Sequence, residues 1–510
     1  MAAESALLAA VGVPLAGALL IALAGRWPDL RESMTLVTSV LLLACVLSLL
    51  PPLLGGARPS RVFLEVLPGL PIAFVLEPLG MLFALVASGL WIVNSLYSIG
   101  YMRGNAEAHQ TRFFVCFALA LAATMGIALA GNLFTLFVFY EVLTLVTYPL
   151  VTHHGTEQAR AGGRVYLGLL LGTSTVLLLP ALVFVWLLAG TTDFTPGGLL
   201  AGKLGPAGLA ALLALCVFGI GKAALMPFHR WLPAAMVAPT PVSALLHAVA
   251  VVKAGVFSVV KVIVYVFGVD TLAGTGAGSA ATWLVGVAGF TIVAASVVAL
   301  GADNLKRRLA YSTISQLAYV VMAAALLAPL SLVGAVLHIA AHAVGKITLF
   351  FAAGAIYTAA HKTEVSQLDG IGRRMPWTMG AFAVASLSMI GLPPAVGFVS
   401  KWYMLSGAMA AQQWLAVGVI AASTLLSAGY LLPIVYRAFF RPLHEAEPGA
   451  TRGDATHGDA IHSEKAHGEQ THGEAPLPMV VALTATAAAT VLLFFLPDVP
   501  LALARQLVTP

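Results

Sequence analysis

FGIGKAALMPFHRWLPAAMVAPTPVSALLHAVAVVKAGVFSVVK, the stretch from residue 218 to residue 261, decides how this chain folds. Two apolar runs flank a proline-rich break; Lys222 lies in the first run, and His247 and Lys253 lie in the second. A charged side chain at the centre of a membrane helix costs roughly 2.5–3.5 kcal/mol, so it usually faces protein or water. A helix break at that depth is tolerated only where protein or a water-filled cavity satisfies the freed backbone groups. Together these features predict an ion path through a polytopic membrane protein.

The composition supports a membrane protein over a soluble one. The 510 residues are 60% hydrophobic and only 9% charged, whereas soluble domains carry about 25% charged residues. The net charge of +5 does not indicate a nucleic-acid partner, since the basic residues are concentrated in loops. The three cysteines are far apart and have no metal-ligand spacing, and no dinucleotide fingerprint is present, so we expect no redox cofactor or metal in this chain.

Apolar runs long enough to cross roughly 30 Å of hydrocarbon predict an all-α fold of about fourteen transmembrane helices. The predicted spans are 5–24, 34–53, 77–100, 112–130, 132–152, 164–190, 207–236 (broken), 241–265, 280–300, 310–328, 331–360, 377–406 (broken), 412–439 and 477–498. A weaker pattern at 61–75 predicts a short hairpin on the outer side.

The distribution of Lys and Arg predicts the orientation. Loops after odd-numbered spans hold seventeen of the 26 basic residues, the opposite loops hold four, and five lie inside spans. By the positive-inside rule the odd loops are cytoplasmic and both termini lie outside, in a plasma membrane. The five lysines inside spans are Lys222, Lys253, Lys261, Lys346 and Lys401.

A second broken span suggests an internal repeat. Gly391 and the two prolines after it interrupt span 12, with Lys401 beyond them, as Pro227 interrupts span 7 after Lys222. Paired interrupted spans indicate inverted repeats. The predicted division is helices 1–3 at 1–111, a first five-helix repeat at 112–265, a second at 280–440, a His-rich polar loop at 441–476 and a last helix at 477–510. The histidines of that loop fit a disordered cytoplasmic segment, with metal binding or pH sensing as the alternative.

Eight titratable side chains inside the spans are candidates for a proton path. They are Glu141, Lys222, His247, Lys253, His338, His342, Lys346 and Lys401. The spacing of His338, His342 and Lys346 at i, i+4 and i+8 places all three on one helix face, which predicts a relay about 12 Å long.

Three of these candidates also have a structural interpretation. Glu141 could belong to a structural ion pair, His247 could be a satisfied core residue, and Lys401 could anchor the interface. Lys261 fits snorkelling to the interface equally well. Four polar residues of span 10, Tyr311, Ser312, Ser315 and Gln316, could hold water between these sites or serve helix packing.

Four blocks of sequence resemble a known family. They are PFHRWLPAAMVAPTPVSALLHAVAVVKAG (227–255), DNLKRRLAYSTISQLAYV (303–320), HIAAHAVGKITLFFAAGAI (338–356) and MIGLPPAVGFVSKWYM (389–404). Over roughly residues 70–440 the chain is similar to the antiporter-like subunits of respiratory complex I, to the D-type subunit of Mrp Na⁺/H⁺ antiporters and to their counterparts in membrane-bound hydrogenases. One departure is Ala234, where many relatives carry an acidic residue.

The resemblance implies fourteen helices with repeats at helices 4–8 and 9–13, and it assigns the eight candidates to a proton path. It also implies other membrane subunits as partners and protons as the transported ion, with Na⁺ as a second candidate. Three functions stay open: a subunit of a redox-driven pump, which would make the chain part of an enzyme complex; a subunit of a gradient-driven antiporter; and a proton-path subunit that energises another transporter, such as one for inorganic carbon.

Overall fold

The computed structural model describes residues 3–274, 279–442 and 473–508, and most of them are α-helical. The helices of eight residues or more are α1 (Ala3–Leu23), α2 (Pro28–Leu54), α3 (Pro78–Gly104), α4 (Gln110–Ala128), α5 (Leu133–Val151), α6 (Glu157–Ala189), α7 (Pro206–Gly219), α8 (Thr240–Phe267), α9 (Thr282–Gly301), α10 (Leu305–Ala325), α11 (Pro329–Ala360), α12 (Pro376–Ile390), α13 (Val396–Ala410), α14 (Trp414–Phe440), α15 (Leu477–Phe495) and α16 (Asp498–Arg505). These helices confirm the all-α membrane fold.

Eleven of these helices are long and apolar enough to cross a membrane. Three predicted spans are not among the eleven helices. They are the two broken spans, 207–236 and 377–406, and the span 310–328, which corresponds to α10. The helices of the broken spans are too short to cross singly, with 14 residues in α7 and 15 each in α12 and α13. Helix α10 begins with a cluster of basic residues and is rich in Ser, Thr and Tyr. The count of fourteen and the inverted repeats stay predictions that this helix set accommodates.

An antiparallel hairpin follows α2. Strand β1 (Ser60–Leu67) pairs with β2 (Leu70–Val75), which confirms the predicted hairpin at 61–75. The amide of Ala73 donates to Oγ1 of Thr135 at 2.9 Å and so ties β2 to the first turn of α5.

Helices α8 and α11 form the centre of the molecule. The apolar windows of both are entirely buried, whereas those of the peripheral helices α14 and α15 are one-third buried. Helix α11 contacts α3, α10, α12, α13 and α15. A helix that is apolar on all sides is buried in this way, and its few polar side chains must then find partners inside the protein.

The structure corrects one detail of the first break. The sequence placed Lys222 ahead of the break at Pro227, but α7 already ends at Gly219 and Lys222 lies in the 3₁₀ turn that follows. The indole of Trp231 donates to the Gly221 carbonyl at 2.9 Å, so a side chain satisfies a freed backbone group. Gly255 of α8 lies so close to this turn that a Cβ there would meet the Lys222 backbone.

The second break separates α12 from α13 and confirms the other predicted interruption. Gly391, which ends α12, has a φ of +92°, a conformation that favours glycine. Most of the predicted His-rich loop, including its evenly spaced histidines, lies outside the described residues. The described Glu474 caps α12 by accepting a hydrogen bond from the Trp377 amide at 2.7 Å.

Candidate functional site

Lys222 is fully buried and held by one turn of α5. Its Nζ donates to the Tyr140 carbonyl at 2.8 Å and to Oγ1 of Thr144 at 2.6 Å. The same Nζ lies 3.2 Å from the centroid of the Tyr140 ring, and the Lys222 amide donates to the Tyr140 hydroxyl at 2.9 Å. A carbonyl, a hydroxyl and an aromatic face therefore surround the ammonium group.

Glu141 lies on the same turn but does not touch Lys222. Its two carboxylate oxygens are buried and have no hydrogen-bond partner among the described residues, and no ion pair within 4.0 Å joins it to Lys222 there. The structure therefore brings the two residues to adjacent positions, and Glu141 forms no ion pair within 4.0 Å in the described ranges. Two such charges still influence each other strongly, because the interior has a low dielectric constant.

His247 lies in a π-helical segment of α8, Leu245–Val249, and is fully buried. Both of its ring nitrogens lack a hydrogen-bond partner within the described part of the chain. Its ring centroid is 4.7 Å from that of Phe350 on α11. Buried polar atoms are nearly always hydrogen-bonded, so this ring is not the satisfied core histidine of the alternative interpretation and requires water or a mobile proton donor.

Lys253 and His342 join the two central helices. The Lys253 ammonium on α8 contacts Nδ1 of His342 on α11. Both side chains are fully buried, and Nε2 of His342 has no partner among the described residues. A proton can therefore pass between an amine and an imidazole across the helix interface.

Neighbouring polar side chains continue from His342 toward Lys401. The rings of His342 and His338 have centroids 6.1 Å apart. His338 bonds Oγ of Ser400 through Nδ1 at 2.9 Å and Oε1 of Gln316 through Nε2 at 3.0 Å. These two partners lead to the second break, because Ser400 precedes Lys401 and Nε2 of Gln316 donates to the Met389 carbonyl at 3.4 Å.

Lys401 binds the end of α12. Its Nζ donates to the carbonyls of Met389 at 2.8 Å and Ile390 at 3.1 Å, and it lies 4.7 Å from the Tyr319 ring centroid. The side chain is buried, with 6% of its surface exposed. It therefore resembles the arrangement of Lys222, since both ammonium groups bind a backbone carbonyl and lie over an aromatic face at a helix break.

Lys346 shares the α11 face with the histidines but bonds elsewhere. Its Nζ donates to Oγ of Ser312 on α10 at 2.7 Å, and the Tyr430 hydroxyl donates to the same oxygen at 3.0 Å. The three titratable residues on this face of α11 thus bond to different neighbours: His338 to α13 and α10, His342 to α8, and Lys346 to α10.

The eight candidates form two groups. Glu141 and Lys222 form one, and Lys253, His342, His338 and Lys401 form the other, with His247 and Lys346 at its edges. No described hydrogen bond joins the groups. The sequence analysis did not identify three hydrogen-bond partners of these residues, Tyr140, Thr144 and Ser400. The one signal available in the sequence was that each carries a hydroxyl group within one helical turn of a buried charged residue.

The lysines among the candidates lack counter-ions among the residues that the structure describes. None of the four lysines of the two groups is ion-paired with a carboxylate within 4.0 Å in the described ranges, and all bind neutral acceptors or an imidazole. An amine without a counter-ion can release its proton when the surrounding charge changes. The described residues contain no cluster of His, Cys, Asp or Glu that could hold a metal.

The site lies inside a region shared with known proteins. The family model described as NADH:quinone oxidoreductase/Mrp antiporter, TM, matches residues 130–427, which include all eight candidates. The chain is similar to the NADH-quinone oxidoreductase subunit N of Desulforudis audaxviator, with 34% identity over 385 residues and 74% of each chain covered. It is also 34% identical over 409 residues to the A/B component of a probable K(+)/H(+) antiporter of Rhizobium meliloti, covering 78% of this chain and 39% of that protein.

A solved structure shares the fold. A chain of the Mrp complex from Dietzia sp. DQ12-45-1b superimposes with a TM-score of 0.82, and the match covers 100% of this chain and 97% of that one. The sequence identity is 24%, so this likeness concerns the fold alone.

Proposed function

Because the chain belongs to the NADH:quinone oxidoreductase/Mrp antiporter transmembrane family, we propose that it moves protons across the bilayer as one member of a larger membrane complex. The contact between Lys253 and His342 carries this proposal, since it links two helices whose apolar windows are entirely buried through groups that can exchange a proton. The proposed path consists of Glu141, Lys222, His247, Lys253, His338, His342, Lys346 and Lys401.

The proposed mechanism is alternating protonation. A proton that reaches Glu141 removes a negative charge near Lys222, and Lys222 then holds its own proton less tightly. The next step is internal to the pair on α8 and α11: the Lys253 ammonium gives a proton to Nδ1 of His342, which leaves a neutral amine and an imidazolium. His338 and Lys401 respond in turn, because charges interact strongly in a low-dielectric interior.

Flux measurements on two variants test the path. Lys222→Met and Glu141→Gln each remove one titratable side chain from the Glu141–Lys222 group. Each substitution keeps the approximate size of the side chain that it replaces. We expect both complexes to assemble and both to lose proton flux in proteoliposomes. Normal flux in either variant would remove that residue from the mechanism.

The organisation of the chain is part of the proposal. We propose the divisions 1–111, 112–265, 280–440, 441–476 and 477–510, with five-helix repeats in the second and third. The distribution of basic residues supports cytoplasmic odd-numbered loops and a plasma-membrane location with both termini outside. Cysteine labelling from each side of sealed vesicles tests this, and a reactive N-terminal cysteine on the cytoplasmic side would reverse it.

Mass spectrometry of the intact complex, purified gently from native membranes, identifies the driving force. Iron–sulfur or nickel–iron subunits would make the chain a pump module of a redox enzyme. A set of small Mrp-like membrane subunits would make it a gradient-driven antiporter of H⁺ and Na⁺. A soluble zinc protein as the one partner would support energisation of carbon uptake.

A further inference from the structure

A buried ion pair lies outside the proton path. The Lys261 ammonium on α8 is 2.9 Å from Oε2 of Glu77, the residue that precedes α3. Lys261 is fully buried and Glu77 is 7% exposed. Nζ of Lys261 also donates to the Ala130 carbonyl at 2.6 Å and lies 4.4 Å from the Phe194 ring centroid. Lys261 therefore does not snorkel to the interface, which was one interpretation of its sequence position.

Glu77 lines a cavity of about 540 Å³. The lining also includes Phe194 and Tyr265 beside the ion pair, and Arg58 and Asp270, which are exposed. The cavity therefore reaches the protein surface, at the side where the loops after α2, α6, α8 and α10 meet. A water molecule takes up about 30 Å³ in the liquid, so the space holds several.

The ion pair is poorly explained as a device for stability. Taking two charges out of water carries a large desolvation cost, and replacement of a buried ion pair by apolar residues of similar size is often neutral or stabilising. Oε2 of Glu77 faces Lys261 but accepts no well-aligned hydrogen bond among the described residues. Its remaining lone pairs need water from the cavity beside it, which makes the carboxylate a point of exchange with solvent.

Helix α8 connects this pair to the path. Lys261 follows Lys253 by eight residues, about 12 Å along the helix axis. We propose that Glu77 and Lys261 form a proton-exchange site between the cavity and Lys253, a route separate from Lys401. This inference rests on the proposed function of the chain.

The proton transfers of this route balance. The Lys261 ammonium gives a proton to the Glu77 carboxylate, which leaves a neutral amine and a carboxylic acid. The acid releases the proton to cavity water, and the Lys261 amine takes a new proton that originates at Lys253. The reverse sequence loads a proton from the cavity.

Paired substitutions in the complete complex test the inference. We compare Glu77→Gln, Lys261→Met and the double variant in proteoliposomes. Asp270→Asn is the matched control, because Asp270 lines the same cavity but is exposed and forms no ion pair within 4.0 Å in the described residues. We expect the double variant to assemble and to lose flux about 100-fold, the lower range for loss of a positioned proton-transfer group, while the control keeps normal flux.

The double variant separates a structural role from a transport role. Breaking a buried pair from one side leaves an uncompensated buried charge and is strongly destabilising, so single variants that fail to assemble are compatible with either role. The double variant leaves no buried charge, and normal flux in it would overturn the proposal. Lys222→Met and Glu141→Gln are measured in parallel: if both also keep normal flux, the proposed function itself fails, whereas loss of flux in those two variants with normal flux in the double variant rejects only this route.

A measurement on the unaltered complex covers the case in which no variant assembles. A hydrophobic carbodiimide reacts with protonated carboxyl groups, and peptide mass spectrometry locates the adduct. We expect labelling of Glu77 during transport, with flux declining in proportion. A Glu77 carboxyl that stays unlabelled under turnover, or flux that continues after it is labelled, would overturn the proposal.

Discussion

Lys253 on α8 contacts Nδ1 of His342 on α11, and both side chains are fully buried. No carboxylate of the described residues lies within 4.0 Å of this ammonium group. An amine and an imidazole in contact can share one proton at little cost, but two positive charges there would repel each other strongly. The contact is thus suited to hold one proton and to pass it on when a neighbouring charge changes.

His342→Gln tests this contact. Glutamine keeps an oxygen that can accept a hydrogen bond from Lys253 but cannot carry a positive charge. We expect an assembled complex whose proton flux falls at least about 100-fold, as for loss of a positioned acid–base group. The measurement is the initial rate of acidification in proteoliposomes.

His361→Asn is the matched control for that variant. His361 ends α11, is exposed, and has a φ of +51°, which asparagine tolerates. Its flux should equal that of the unaltered complex. Unchanged flux in His342→Gln would show that His342 only positions Lys253.

The sequence predicted the face of α11 but not what that face meets. Spacing alone places His338, His342 and Lys346 together, because helix geometry is local. The structure turns them toward Ser400, Lys253 and Ser312 respectively. Those partners depend on how helices pack, and tertiary packing leaves no periodic signal in a span that is apolar on all sides.

The breaks show the same limit. Proline and glycine predicted both interruptions, since they remove or redirect backbone bonding. The end of α7 at Gly219, ahead of Lys222, carries no proline signal. It follows from tertiary contacts, in which Trp231 caps the Gly221 carbonyl and Tyr140 binds the Lys222 amide.

Thr144→Val tests the setting of Lys222. The change removes one of the two oxygens that bind the ammonium group and keeps the side-chain volume. A hydrogen bond to a charged group contributes about 1.5–3 kcal/mol, so Lys222 should release its proton more readily and the pH dependence of flux should shift to lower pH. Flux is measured as a function of pH.

Thr147→Val is the control on the same helix. Oγ1 of Thr147 bonds the Tyr166 hydroxyl at 2.6 Å and is not among the described hydrogen-bond partners of Lys222. The Thr147→Val variant should change the stability of the complex without shifting the pH dependence of its proton flux. Identical profiles for Thr144→Val and the unaltered complex would mean that the Tyr140 carbonyl alone sets the behaviour of Lys222.

Because His153, in the loop after α5, is buried, we expect the folded protein to lose stability in acid. Burial lowers the pKa of this histidine from 6.5 to about 4, and the nearby Glu107 carboxylate, 3.8 Å away, offsets burial only in part. Between those values the unfolded chain binds the proton and the folded one does not, so stability is present above pH 6.5 and is lost as the pH falls toward 4. The loss is at most roughly 3 kcal/mol.

Thermal unfolding in detergent at several pH values measures this effect. His153→Phe keeps an aromatic ring against Phe113 and removes the titration. Its unfolding midpoint should fall less between pH 6.5 and 4.5 than that of the unaltered protein. His154→Gln, a change at the exposed neighbour, should leave the acid dependence as it was; equal slopes in all three proteins would exclude His153 as the cause.

Gly391→Ala should disturb the second helix break by displacing the Lys401 side chain. A Cβ at this position would lie 2.7 Å from Cδ of Lys401, and the φ of +92° is strained for any residue with a side chain. We expect Lys401 to move off the carbonyls of Met389 and Ile390, flux to fall, and stability to drop by about 1–3 kcal/mol.

Gly380→Ala inside α12 is the control, because no described heavy atom lies within 4 Å of its added Cβ. Alanine at this position favours the helix by about 0.5–1 kcal/mol. Flux and unfolding midpoints are measured for both, and normal flux in Gly391→Ala would mean that the position of Lys401 at the end of α12 is not required for transport.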